Sequence, residues 1–480
     1  MDLPPSFLLC FIVFASSALF LFIQRRNNSV TGKLPPGPPG WPIFGNMFDL
    51  GTMPHRTLTR LRDKYGQVIW LRLGAVNTMV ILSTKAATEF FKNYDLTFAE
   101  RHITEIMRAH GYHKSSVALA PYGSYWRVLR RLNLLGNLML SQDLFDPNSK
   151  EGSEFFLVIL RLMSLSGTGN IADYFPWLKW LDPQGLKRKM NKDLGKAIEI
   201  ASKFVKQRME DKKLSENNKR DFLDLLLEFE GNGKDEPAKL SDQNLNVFIL
   251  VLPLLIETIC HILIFPDTLL HVLEQELFMA GSETTSSTVE WALTELLCNL
   301  ESMVKVKAEL SRVVGPNKRV EESDIQNLHY LNAVIKETFR LHPPIPFLVP
   351  RRAMRDTEFM GYHIPQNTQV FVNAWAIGRD PEVWDDPLSF KPERFIGSKI
   401  DYKGQNFELI PFGAGRRMCA GVALGERVLH LVLGSLLHHF DWELGGNVTK
   451  ETIDMRDILG VTMRKLEPLL AVPKMCLKSA

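Results

Sequence analysis

Phe412-Gly413-Ala414-Gly415-Arg416-Arg417-Met418-Cys419-Ala420-Gly421 sets one cysteine in a glycine-rich basic turn that opens onto an apolar stretch with helical spacing, Gly421 to Phe440. A helix expected from Ala420 points its positive end back at the sulfur, Arg416 and Arg417 add positive charge, and the loop can aim backbone N–H groups at it. All three favour an ionised thiolate, the form that binds iron. Gly415 and Gly421 admit a sharp turn and the close approach of a flat macrocycle to the backbone. Phe412 can cover the sulfur and keep water away. A buried structural cysteine is the bland alternative. Phe, Gly, Arg, Cys and Gly at those five positions arise by chance roughly once in ten million start positions, so Cys419 reads as an axial ligand to haem iron.

With this stretch the chain resembles the cytochrome P450 family, the haem-thiolate monooxygenases, and upstream motifs extend the likeness over most of the sequence. Glu337-Thr338-Phe339-Arg340 is similar to the family's Glu-x-x-Arg, and the spacing of three puts Glu337 and Arg340 on one helical face. In Pro392-Glu393-Arg394-Phe395 the resemblance makes Arg394 the third member of a buried ion network that braces the haem-binding core. Ala280-Gly281-Ser282-Glu283-Thr284-Thr285 resembles the kinked oxygen-binding segment of the family's long central helix. Oxygen activation needs protons delivered without flooding an apolar pocket, and the Thr284 hydroxyl beside the Glu283 carboxylate can relay them. Gly281 would leave room for dioxygen.

Haem carries two propionates that need cations. Trp126 and Arg130 match the family's Trp-x-x-x-Arg, four apart on one helical face, with the indole N–H and the guanidinium as donors. The resemblance places further propionate contacts at Arg351 and Arg417.

Composition agrees with one large enzyme carrying an anchor. The chain has 480 residues, 45% hydrophobic, enough to bury a cofactor-sized core, and shows no internal repeat. A net charge of +3 with no basic tract gives no footprint for nucleic acid. Five cysteines, at 10, 260, 298, 419 and 476, form no spaced framework and suggest a reducing compartment. Residues 1–31 read as a membrane anchor with a basic flank. Phe7 to Ile23 is an uncharged run, roughly 26 Å as a helix. Arg25, Arg26 and Lys33 follow it and orient the catalytic body to the cytosol. Residues 32–45 contain Leu34-Pro35-Pro36-Gly37-Pro38-Pro39-Gly40-Trp41-Pro42, a stiff extended stretch that resembles the proline-rich hinge of microsomal members and implies a single-pass protein of the endoplasmic reticulum membrane.

Residues 46–480 read as the catalytic domain, mainly α with a small β part, the cytochrome P450 fold. Val68 to Leu73 and Thr78 to Leu82 suggest a hairpin, and Phe359 to Ile364 and Gln369 to Asn373 suggest strands. Leu186 to Arg208, Glu283 to Leu300 and Glu301 to Val313 carry helical periodicity. Two departures from the family pattern stand out. A helix is missing after Arg131, where the chain runs directly into Leu132 to Leu140, and Val251 to Gln275 reads as an insertion. Unspliced or mis-predicted coding sequence is the economical account of both. A second membrane span over Val247 to Phe265 is disfavoured by Pro253 and Glu257.

The resemblance implies insertion of one oxygen atom from O2 into a C–H bond, with haem b as cofactor and electrons from NADPH through NADPH-cytochrome P450 reductase. The chain is most similar to plant members of the group that contains geraniol 8-hydroxylase, which act mainly on terpenoids. Arg101 to Ala120, Met279 to Thr284, Ile345 to Val349 and Leu459 to Thr462 are the expected pocket segments, and their apolar character suits a small hydrophobic substrate. The alternatives are a non-catalytic or poorly folded product of a mis-spliced transcript, and an isomerase or dehydratase on the same scaffold. The latter needs no proton relay, so Glu283 and Thr284 argue against it.

Overall fold

The computed structural model describes residues 32–124, 126–127, 130, 158, 161–162, 164–196, 199, 268–316, 318–446 and 448–475. The expected anchor, the junction after Arg131, the second-span alternative and residues 251–267 of the expected insertion lie outside them. Among the described residues no helix is long and apolar enough to cross a membrane.

The main core is a bundle of helices. The longest, α3, runs unbroken over Thr268–Cys298, so the last eight residues of the expected insertion are its opening turns rather than a loop. Later core helices are α4 (Leu300–Val313), α5 (His329–Leu341) and α6 (Val422–His439); two of the helices before it, among the described residues, are α1 (Pro54–Tyr65) and α2 (Thr84–Asn93). Apolar residues recur at three- and four-residue spacing, Leu293, Leu296 and Leu297 on α3, Val306 and Leu310 on α4, Leu331, Val334 and Ile335 on α5, Leu429, Leu433 and Leu437 on α6, and all lie in one buried cluster. Each fully buried leucine contributes about 1.5–3 kcal/mol. Gly434 sets how near α6 comes to α5, because a Cβ there would lie 3.3 Å from the Leu331 side chain. That contact fixes the helix beginning just beyond Cys419.

A five-stranded sheet, ordered β1-β2-β7-β4-β3, forms the second layer. β1 (Val68–Leu73) and β2 (Val76–Ile81) form the expected hairpin, which turns at Gly74 (φ 57°) and takes Asn77 into its second strand. β7 (Gln369–Val372) lies parallel to β2, β4 (Arg351–Arg352) antiparallel to β7, and β3 (Glu100–Arg101) antiparallel to β4. The expected continuous strand Phe359 to Ile364 is instead a second hairpin, β5 (Thr357–Phe359) and β6 (Tyr362–Ile364). Met360 and Gly361 both take positive φ, 50° and 78°, the two-residue turn whose twist suits a hairpin. Ser83 caps α2 by accepting the Ala86 N–H at 3.1 Å, and Phe90 and Phe91 of α2 pack with Phe98 and Phe359 beside the sheet. The proline-rich stretch is extended and docked: Pro36 O accepts the Trp70 N–H at 2.9 Å, Lys33 O accepts the His363 N–H at 2.9 Å, and a Cβ on Gly37 would strike Trp70 O.

Candidate haem-thiolate site

The cysteine loop is shaped by its glycines and by bonds to distant segments. Gly413 and Gly415 take φ of 69° and 67°, which disfavours any Cβ, while Gly421 sits at −87°, open to most residues. Cys419 N–H donates to Phe412 O at 2.9 Å and closes the turn. The helix starts at Val422 rather than Ala420, with Gly421 as its N-cap, and the Gly421 N–H points at Cys419 Sγ from 3.3 Å. The Phe412 ring packs edge-on against Phe339 at 5.2 Å and near Tyr402 at 5.5 Å.

Cys419 keeps solvent-accessible surface while the protein around it desolvates the sulfur. Burial pushes its thiol up, and the Gly421 N–H and the Arg130 guanidinium pull it down. The two loop arginines do something else. Arg416 Nη1 turns to Asp95 Oδ2 at 3.1 Å, and Arg417 donates to Ala99 O and Ala120 O, each at 2.7 Å. Arg130 instead reaches back to Met418 O at 2.5 Å.

The four residues read as propionate donors come together here. The Arg417 guanidinium lies 4.3 Å over the Trp126 ring, with Arg130 at 5.5 Å from the same ring. Trp126 donates its indole N–H to Val117 O at 2.8 Å, so in this geometry it is a platform for guanidinium groups. Arg351 pairs with Asp95 at 2.6 Å and donates to Ala414 O at 2.9 Å. Asp95 was not legible as a site residue, and Arg101 was legible only as the first residue of an expected pocket segment. The β3–β4 register sets Arg101 opposite Arg351, and Arg101 donates to Val349 O and Ala118 O. Burial and the charges of Arg351, Arg417 and Arg130 hold Arg101 well below the usual arginine range. These residues fit haem. Cys419 keeps exposed surface, the basic cluster needs anions, and Arg417 Nη1 is buried with no hydrogen-bond partner.

Behind the loop, Glu337 and Arg340 form a bidentate pair with both bonds at 2.7 Å and are 0% and 1% exposed. Arg394 Nε joins Glu337 Oε1 at 3.0 Å, and the Lys391 N–H joins the same oxygen at 2.7 Å. Arg340 also donates to the carbonyls of Gly378, Pro387 and Ser389, so the network ties α5 to the chain that leads to the loop.

On α3 the Thr284 hydroxyl back-bonds to Ala280 O at 2.5 Å, and a Cβ on Gly281 would meet nothing within 4 Å. Glu283 is half-buried, its Oε2 is without a partner, and burial raises its carboxyl against the pull of Arg464 on β8 (Met463–Lys465). One bond joins two of the expected pocket segments directly, and two more link residues just beyond their bounds. Arg101 Nη1 bonds Val349 O at 2.6 Å, the Met463 N–H bonds Pro344 O at 2.7 Å, and Ser287 of α3 donates to Met463 O at 2.9 Å.

A thiolate-presenting loop on a helix bundle, ringed by arginines and braced by a buried Glu-Arg-Arg network, defines a haem-thiolate oxidoreductase. The chain belongs to the cytochrome P450 family, whose model matches residues 35–135, 132–254 and 265–472. It is 47% identical to cytochrome P450 76A2 of Solanum melongena, over 96% of this chain and 97% of that one. It is 46% identical to the iridoid oxidase of Catharanthus roseus, over 95% of each, and 38% identical to the geraniol 8-hydroxylase of that plant, over 95% and 96%. The fold is shared with a zebrafish cytochrome P450 solved with progesterone, at a TM-score of 0.67 and 23% identity, covering 88% of this chain and 99% of that one. The protein is an oxygen-incorporating oxidoreductase that holds haem through a cysteine thiolate.

Proposed function

We propose that the chain hydroxylates a small hydrophobic plant metabolite of the terpenoid class, using O2 and electrons from NADPH through NADPH-cytochrome P450 reductase. The observation that carries this reading is similarity along almost the whole chain to an iridoid oxidase and a geraniol 8-hydroxylase, with the Glu283–Thr284 pair in place on α3. Bound haem supplies oxygen activation. Glu283, raised by burial and without a partner at Oε2, is suited to hold a proton, and Thr284 beside it is suited to pass one on. Arg417, Arg130 and Arg351 would hold the propionates, with the Trp126 ring as the platform beneath Arg417 and Arg130.

The catalytic body sits at the endoplasmic reticulum membrane, anchored by residues 1–31 in the lipid bilayer and facing the cytosol. An exposed aromatic surface supports this. Phe44, Phe48, Trp177 and Trp180 are exposed, and the first three are linked through the buried Phe175, with Phe44–Phe48 at 5.1 Å, Phe44–Phe175 at 5.7 Å and Phe175–Trp177 at 5.1 Å. The reading of a missing segment after Arg131 and an insertion near 251–275 also has support. The first two matched stretches of the family model meet at 132–135, and the second ends at 254 before the third begins at 265. The alignment with cytochrome P450 76A2 runs to 516 positions against a chain of 480, so the relative carries residues that this chain lacks.

The test is turnover. The full chain, in membranes with the reductase and NADPH, is offered monoterpene alcohols, iridoids and sesquiterpenes under isotopically labelled O2. One labelled oxygen in a product is the expected result. Rearranged product without label would make the protein an isomerase or dehydratase, and haem reduction with no product from any terpenoid would remove the substrate class.

A further inference from the structure

We infer that Asp95 is a positioning residue of the haem-thiolate loop: its carboxylate anchors the Arg416 end of the loop and neutralises Arg351, so that Cys419 is held in one place beside a defined surplus of positive charge. The inference rests on family membership and not on any substrate.

Asp95 lies just past the end of α2, is 4% exposed, and spends both oxygens on the site. Oδ1 accepts Arg351 Nη1 at 2.6 Å. Oδ2 accepts the Arg416 backbone N–H at 2.8 Å and Arg416 Nη1 at 3.1 Å. One side chain therefore joins α2, β4 and the cysteine loop, segments 256 and 321 residues away from it in sequence. The loop lies flush on the carboxylate. A Cβ on Gly415 would come within 2.3 Å of Asp95 Oδ1, at a φ of 67° that side chains rarely adopt. The other end of the loop is held separately, by Arg130 on Met418 O and by the Cys419–Phe412 backbone bond. Loss of Asp95 thus releases the Arg416 N–H and side chain, while Arg417 stays on Ala99 O and Ala120 O and the Cys419 end stays fixed.

The charge argument is independent of the geometry. Arg101, Arg130, Arg351, Arg416 and Arg417 converge here, and among the described residues Asp95 is the only carboxylate in an ion pair with any of them. Arg351 is 4% exposed, so removal of its counter-charge leaves a buried cation uncompensated. Added positive charge near the iron favours electron uptake, which makes the reduction potential of the haem more positive.

The experiment compares haem-loaded full-length protein carrying Asp95→Asn, Gly415→Ala or Asp380→Asn. Asp380 is an equally buried carboxylate, 1% exposed, that pairs with Arg62 at 2.8 Å and makes no bond to the loop. In Asp95→Asn the carbon monoxide complex of the reduced protein should lose its long-wavelength thiolate band roughly tenfold faster than in the parent, and the potential should rise. Gly415→Ala, which displaces the carboxylate, should reproduce the faster loss. Asp380→Asn should lower the melting temperature and change neither readout. Band lifetime and potential in Asp95→Asn equal to those of Asp380→Asn would overturn the inference. Should Asp95→Asn fail to take up haem, a parent-like band lifetime in Gly415→Ala overturns it instead.

Discussion

Replacement of Glu337 by leucine tests the Glu-Arg-Arg network most directly. In the native protein Glu337 accepts two bonds from Arg340, one from Arg394 and one from the Lys391 N–H, and it is 0% exposed. Leucine removes all four acceptor contacts. Arg340, 1% exposed, keeps its three carbonyl partners but loses its counter-charge, and Arg394 loses the same partner. Breaking a buried pair from one side costs about 3–5 kcal/mol, whereas an exposed pair contributes about 0–1 kcal/mol. Against a total stability of about 5–15 kcal/mol, Glu337→Leu should abolish stable haem uptake or bring it close to failure. Arg340→Leu should also be severe, for a different reason, because it takes the Arg340 donor from the carbonyls of Gly378 and Pro387 while Arg394 stays on Glu337 and Ser389 O. Arg394→Leu should be the mildest of the three, because Glu337 and Arg340 remain paired. The assay is urea unfolding followed by tryptophan fluorescence, with the carbon monoxide band as a measure of haem occupancy. A Glu337→Leu loss below about 1 kcal/mol, or Arg394→Leu as the worst of the series, would refute the reasoning.

Four further outcomes are expected. Cys419→Ser should abolish the long-wavelength carbon monoxide band, and retention of that band would end the thiolate assignment. Thr284→Ala should keep haem and substrate binding while NADPH use is diverted to peroxide and product falls roughly tenfold or more; unchanged coupling would remove Thr284 from proton delivery. Burial raises Asp173 from 3.8 to about 6, so the folded protein binds its proton more tightly than the unfolded chain does, and the contribution of this group to stability is fullest below pH 3.8 and declines until pH is above about 6. Asp173→Asn should flatten that part of the stability–pH curve, and an unchanged slope by thermal melting across this window would count against the assignment. Deleting Val251 to Gln275 while restoring a relative's segment after Arg131 should raise haem occupancy, and full occupancy in the unmodified chain would show that both departures are harmless.

The parts of this protein legible in its sequence are those whose chemistry depends on near neighbours along the chain. A cysteine after a turn with positive φ at Gly413 and Gly415, a Glu337–Arg340 pair one helical turn apart, and Leu429, Leu433 and Leu437 along one face of α6 are each set by local spacing. Pattern is weaker where two short strands meet. The Phe359 to Ile364 stretch looked continuous because Met360 gives no sign that it will take a left-handed conformation beside Gly361. Helical periodicity is legible from Glu283 to Leu300, whereas the helix also covers 268–282, part of which lies inside the stretch that departs from the family pattern. Charge partners belong wholly to the tertiary structure. Arg416 and Arg417 beside Cys419 were natural candidates to stabilise its thiolate, yet Asp95 captures the first, the carbonyls of Ala99 and Ala120 capture the second, and the cation acting on the sulfur is Arg130, held over Met418 O. Asp95 and Arg101 sit in no motif, and the β3–β4 register and the end of α2 bring them to the loop. Local sequence thus determined the thiolate, the bracing pair and the helix faces, because backbone conformation and side-chain spacing are short-range. Which arginine serves which anion was decided only on folding, because Coulomb interactions follow distance in space and the groups concerned lie up to 321 residues apart.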